Sequence, residues 1–207
     1  MNYIIVFLCG TATMILELAG VRIVSPFLGS THIVYTCIIG VIMGSLSLGY
    51  YLGGNISKKN PSFFKLAEII FLSALYLFFL SFYEFNFLRA IFNLKFYFIY
   101  KALIISFLLF FIPSVLLGIV CPYITQLQLN SISDKYKINK EGVVVGKIYA
   151  VSTVGSIFGT FLCGFWLISF FGIDTIFFAL SFELLFCSFL CFIIHISKKK
   201  LKFFIFY

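Results

Sequence analysis

An all-α, polytopic membrane bundle of six helices is the fold class this sequence predicts, and three observations predict it. The composition is 62% hydrophobic and only 11% charged, with mean hydropathy +1.14. A soluble domain could neither bury that much apolar surface nor clothe itself with so few charges. Six apolar stretches fill the chain, each close to the ~20 residues that cross a hydrocarbon core. The lysines gather between alternate stretches. Residues 1–197 form the predicted transmembrane domain, and residues 198–207 a short basic and aromatic tail.

The first span is read at 4–24. It lacks the basic leader and small-residue cleavage site of a signal peptide, so it is expected to stay in the mature protein. The second, at 33–52, carries Gly40, Gly44 and Gly49, with Gly53 and Gly54 just beyond, at near-helical spacing. The third, 64–82, is rich in Phe. The fourth, 97–119, contains Pro113, which removes a backbone hydrogen bond and predicts a kink. Pro122 is expected to end that helix, and Pro26 to follow the first span. The fifth, 144–170, is long enough to tilt. It holds Gly155 and Gly159 in a GxxxG pattern, flanked by Gly146, Ser152, Ser156, Thr160 and Gly164. The sixth runs 176–196.

Glycine lowers helix stability but lets two backbones approach closely in lipid. Gly44, Gly49, Gly53, Gly155 and Gly159 are therefore read as packing positions. The second and fifth spans are expected to be the inner helices, with the first and fourth as their contacts. The third and sixth spans should face lipid more.

Orientation follows from the lysines. Lys58, Lys59 and Lys65 flank the second connection, Lys135, Lys137, Lys140 and Lys147 the fourth, and Lys198, Lys199, Lys200 and Lys202 the end of the last span. The other side holds Arg89 and Lys95, with Arg22 and Lys101 near helix ends. The positive-inside rule then places both termini in the cytoplasm. The net charge of +8 reads as topology signals and contacts with anionic lipid headgroups, not as a nucleic-acid surface. Six cysteines read as small polarizable fillers. Cys187 and Cys191 share a helix face, but no ligand cluster accompanies them. His32 and His195 stand alone, and no metal site is expected.

Ionisable groups inside spans carry the functional signal, because charge at such depth normally faces a partner or a wet cavity. Glu17 and Glu183 come to similar depths at about 1.5 Å of rise per residue. Arg22 and Lys101 lie nearer the outer ends. These four are the candidate substrate-binding residues, in an acidic pocket opening outward. The alternatives are a structural ion pair for Glu17, with Lys101 as a possible partner, and snorkelling for Arg22 and Lys101. Glu17 and Arg22 are five apart, about 140° around the helix, too far round to pair ideally.

The segments LELAGVRIVSPFLGS, IIGVIMGSLSLGYYLGG, PSVLLGIVCPYITQL and GKIYAVSTVGSIFGTFLCGFWLISFFG occur in that order. Together they resemble the membrane domain of bacterial membrane-bound spermidine synthase-like proteins, a fused major-facilitator-like and synthase architecture. The sequence departs from that pattern at Asn55 and Lys58, where Arg and Asp are usual, and at Gln126, where Arg is common. Lys147 and Tyr149 keep the basic-x-aromatic pattern. The resemblance implies a bundle like half of a major-facilitator transporter in the cell inner membrane, usually joined to a cytoplasmic synthase domain. The sequence contains no glycine-rich strand–turn–helix and no paired aspartates for such a domain; Asp134 and Asp174 stand alone.

Two functions are expected from this reading. One is binding or transport of a small cation such as a polyamine, with a homodimer completing the pathway. The other is a non-catalytic anchor for a separate aminopropyltransferase subunit, or a truncated inactive remnant. No cofactor is expected. The enzyme question stays open, since the family is named for an enzyme whose catalytic domain this sequence lacks.

Overall fold

The computed structural model describes residues 2–58, 61–92, 97–131 and 134–205. Its elements are α1 (Asn2–Leu28), α2 (His32–Lys58), α3 (Phe63–Phe92), α4 (Phe98–Leu129) and α5 (Asp134–Phe161). A π-helical segment (Leu162–Leu167) and the short α6 (Ile168–Phe170) continue α5, and α7 (Ile173–Ile205) follows. No strand occurs among the described residues, and six helices are long and apolar enough to cross a membrane. Helices of this kind satisfy every backbone group internally, as a lipid solvent demands. Lys59 and Lys95 of the lysine pattern lie outside the described residues.

Three helix pairs build the bundle, and their directions can be read from single contacts. The α1·α5 pair is parallel. Thr11 Oγ1 donates to the Gly155 carbonyl at 3.1 Å, Ser156 Oγ to the Gly10 carbonyl at 3.3 Å, and Cys163 Sγ lies 3.9 Å from the Ile15 carbonyl. The α2·α4 pair is parallel too, with Gly49 against Val115 and Gly118, and Gly53 against Ile119 and Pro122. The α3·α7 pair is antiparallel. Ser188 Oγ donates to the Ala67 carbonyl at 2.8 Å, Phe64 lies near Phe192, and Phe78 lies near Phe178.

The two glycine seams are the same seam used twice. A Cβ on Gly159 would meet the Thr11 carbonyl oxygen at 2.6 Å; one on Gly53 would meet the Ile119 carbonyl oxygen at 2.7 Å. Gly155 abuts Phe7 as Gly49 abuts Val115, and Gly10 abuts Ser152 as Gly118 abuts Leu46. Each correspondence advances by one constant shift along its helix. The set α1–α2–α3 therefore maps onto α4–α5–α7 with its direction in the bilayer reversed. The sequence carries the trace: Gly40, Ile42, Gly49 and Gly53 recur as Gly146, Ile148, Gly155 and Gly159.

The seams correct the expected burial order. Gly49, Gly53, Gly155 and Gly159 do pack against backbone, but the central helices are α1 and α4, whose apolar windows are 56% and 61% buried. The windows of α2 and α5 are only 33% and 17% buried, below the 39% of α3 and α7. Gly44, like Gly40 and Gly146, has nothing within 4 Å of where a Cβ would stand. A glycine seam is one-sided. It brings one backbone close along one stripe and leaves the rest of the helix to lipid.

Other boundaries shift as well. Pro122 does not end α4, and Pro26 lies within α1. α4 also continues through the buried Pro113. The ring of Pro122 instead fills the space beside Gly53. α3 continues ten residues past the expected end, to Phe92. At the end that holds the termini, Tyr123 ties α4 to the start of α3. Its hydroxyl accepts from Ser62 N–H at 3.0 Å and donates to the Ser62 carbonyl at 3.2 Å.

Candidate functional site

On the second half of α1 the segment LELAGVR divides sharply by face. Leu16, Ala19, Gly20 and Ile23 point into the bundle. Gly20 makes room for the Phe110 ring of α4, whose Cζ would lie 2.6 Å from a Cβ there. Glu17, Leu18, Val21 and Arg22 are left on the outward side. There they line a cavity of about 590 Å³ together with Ser25, Pro26, Ser30, Tyr35, Ile39 and Ile168. The cavity opens between α1, the start of α2 and α6, towards the end of the bundle away from the termini.

Its exposed wall is mostly apolar, with polar groups from Glu17, Arg22, Ser25, Ser30 and Tyr35 set into it, and small-molecule sites combine apolar walls with placed polar groups in this way. Glu17 is half-buried and Arg22 exposed. Arg22 lies about 7.5 Å further along the axis, at 1.5 Å per residue. The two do not form an ion pair, and no other charged group among the described residues reaches Glu17. Ser25 is occupied, donating to the Val21 carbonyl at 2.7 Å. The π segment, a form that recurs at functional sites, precedes Ile168 and so shapes the cavity's third wall.

The structure thus brings Glu17 and Arg22 to one cavity, while Lys101 and Glu183 lie outside its lining. Lys101 is not the partner of Glu17. Its Nζ donates to the Phe92 carbonyl at 2.7 Å and stands 5.1 Å from the Phe92 ring centroid. A cation at that point caps the last carbonyls of α3 and meets the negative end of its dipole. Glu183 is half-buried on α7, and its Oε1 is buried with no hydrogen-bond partner.

Two further carboxylates escaped the sequence reading. Glu68 lines a lipid-facing groove of about 370 Å³ between α3 and α7. Glu84 is only 4% exposed, and its Oε2 has no hydrogen-bond partner. Asp174, in the first turn of α7, is the acidic neighbour that acts on it electrostatically. The signal was present as an acidic residue two positions past the expected end of the third span.

All six cysteines are free and buried. Among the described residues no group of three or more His, Cys, Asp or Glu is arranged to hold a metal ion. Compared with known proteins, the chain matches no protein family, no curated protein and no solved structure.

Proposed function

We propose that this chain is a multi-pass inner-membrane protein, both termini cytoplasmic, that binds a small organic amine at Glu17 as part of a transport or sensing pathway. The observation that carries this reading is a half-buried carboxylate, without an ionic partner, lining a cavity large enough for such a ligand. A carboxylate at membrane depth costs a few kcal/mol unless something compensates it. A bound ammonium group would do so.

Polyamines are the ligands suggested by the likeness to spermidine synthase-like membrane domains. Arg22 refines that suggestion. A long polycation would bring a second ammonium towards the guanidinium at the cavity mouth, so a monoamine or short diamine fits better. The inverted repeat of α1–α2–α3 and α4–α5–α7 supports a transporter-like role, since many secondary transporters are built this way with sites at the repeat interface. A second copy is the partner that suits the open faces of α2 and α5. Gly40, Gly44 and Ser47 are exposed on one, and Gly146, Ala150 and Thr153 at the equivalent places on the other. Small residues of this kind favour helix association in lipid.

The test is equilibrium binding of labelled putrescine and spermidine to the detergent-solubilised protein. Putrescine should bind more tightly than spermidine, Glu17→Gln should abolish binding, and Arg22→Gln should narrow the difference. Binding unchanged in Glu17→Gln would overturn the assignment.

A further inference from the structure

Glu68 stands in the second turn of α3, about 7.5 Å along the axis from Phe63 at 1.5 Å per residue, in a helix long and apolar enough to span a membrane. It is exposed, so it faces lipid and not the bundle. Among the described residues no hydrogen bond or ion pair engages its carboxylate. A carboxylate against hydrocarbon is costly unless a cation answers it.

The neighbouring helices do not supply that cation. On α3 itself Lys65 is exposed three residues earlier, nearer water, and a lysine placed before a glutamate is the weaker order for a pair on one helix. On α2 the Lys58 ammonium donates to Asn55 at 3.2 Å. On α7 the His195 Nδ1 lies 3.5 Å from Ser62 Oγ. On α4 the Tyr123 hydroxyl is used on both backbone groups of Ser62.

The antiparallel α3·α7 pair builds a groove around Glu68. Ser188 Oγ donates to the Ala67 carbonyl at 2.8 Å and closes the floor. With that hydroxyl committed, Glu68 is the one remaining polar side chain in a lining of about 370 Å³. Phe64 and Phe192 stand at the end nearer the termini, ring centroids 6.3 Å apart. Phe71 and Leu185 line the deeper end, with Phe189 between. Side chains of a helix lean towards its N-terminus, so Glu68 leans towards Phe64 and the membrane surface.

We propose that this groove seats one phosphatidylethanolamine molecule, its ammonium on the Glu68 carboxylate and an acyl chain laid along Phe71, Phe189 and Leu185. The charge of the groove selects the headgroup and its apolar walls select the chain. A primary ammonium donates charge-assisted hydrogen bonds to a carboxylate, and rings within about 6 Å of it add cation–π attraction. Lys65, one turn nearer water, is placed for the phosphate of the same headgroup. The trimethylammonium of phosphatidylcholine has no N–H to give Glu68, and an acidic lipid brings the wrong charge. The groove thus discriminates against the anionic lipids that the lysines of the same end attract. It lies at the opposite end of the bundle from the Glu17 cavity and does not rest on the amine reading there.

The experiment is lipid retention by the purified full chain, read by native mass spectrometry after exchange into mixed micelles. The micelles hold equal amounts of phosphatidylethanolamine, phosphatidylcholine and phosphatidylglycerol with identical acyl chains. The wild type should keep one phosphatidylethanolamine with a preference of about tenfold over phosphatidylcholine, as one charge-assisted contact allows. Glu68→Gln alters an exposed side chain, so the fold should tolerate it, and it should erase that preference. Glu68→Lys should turn the preference to phosphatidylglycerol. Phosphatidylethanolamine held no better than phosphatidylcholine, or a preference that persists in Glu68→Gln, would overturn the proposal. Displacement of the lipid by millimolar free ethanolamine would also overturn it, since the groove would then be a site for a soluble amine.

Discussion

The Thr11 hydroxyl donates to the carbonyl of Gly155 at 3.1 Å, across two helices that run in the same direction. It also donates to Phe7 on its own helix at 3.0 Å. A glycine at 155 makes this possible, because the backbone of α5 rests directly on that of α1. Thr11→Val keeps the shape and removes the donor. Interhelical hydrogen bonds in membranes average about 0.6 kcal/mol, so a loss of about 0.5–1.5 kcal/mol is expected. Reversible unfolding in mixed micelles measures it.

Glycines on the seams and glycines on the open face should behave oppositely. Gly159→Leu and Gly53→Leu drive a side chain into backbone atoms that cannot yield. Each should cost about 1–3 kcal/mol or prevent folding. Gly44→Leu places the same side chain where nothing lies within 4 Å. It should leave the melting temperature of the monomer within about 2 °C of wild type. Equal losses at Gly44 and Gly159 would contradict the seam.

Glu17→Gln should separate stability from binding. No charged group is left unpaired by the change, because the cavity contains no ion pair to break. The expected outcome is a melting temperature near wild type for the variant, with millimolar putrescine raising the melting temperature of the wild type and not that of the variant. Destabilisation of about 3–5 kcal/mol, the signature of a broken buried pair, would instead reveal a cationic partner. Four melts decide it, wild type and variant with and without the amine.

Tyr123→Phe removes one hydroxyl that serves two backbone groups of Ser62. Tyr123 is fully buried, so the vacated partners gain little from solvent. A cost of about 1–3 kcal/mol is expected, with faster hydrogen exchange at the start of α3.

Tag accessibility tests the orientation. Both ends of a six-span chain lie on one side, and the positive-inside rule leads us to expect that side in the cytoplasm. A C-terminal epitope should be labelled in permeabilised cells and not in intact spheroplasts. Labelling in intact spheroplasts would reverse the assignment.

Number, type and approximate place of the helices were determined by the sequence alone. Lipid imposes a length and a polarity on each span separately, and both can be read along one segment. The GxxxG of Gly155 and Gly159 was legible for the same reason, since a glycine pair on one helix face has few other uses in lipid. Glu17 and Arg22 stood out because ionised groups at that depth are costly. What lay beyond the sequence was lateral. Glycine-rich α2 and α5 were expected inside, yet α1 and α4 occupy the centre. The repeat relating the two seams is faint in the residues and plain in the contacts. Lys101 caps α3, and Ser188 reaches the Ala67 carbonyl, only because helices distant in the chain are set side by side. Depth is a relation between one helix and its solvent; position within the bundle depends on the fit between two surfaces, and each helix encodes only half of that fit.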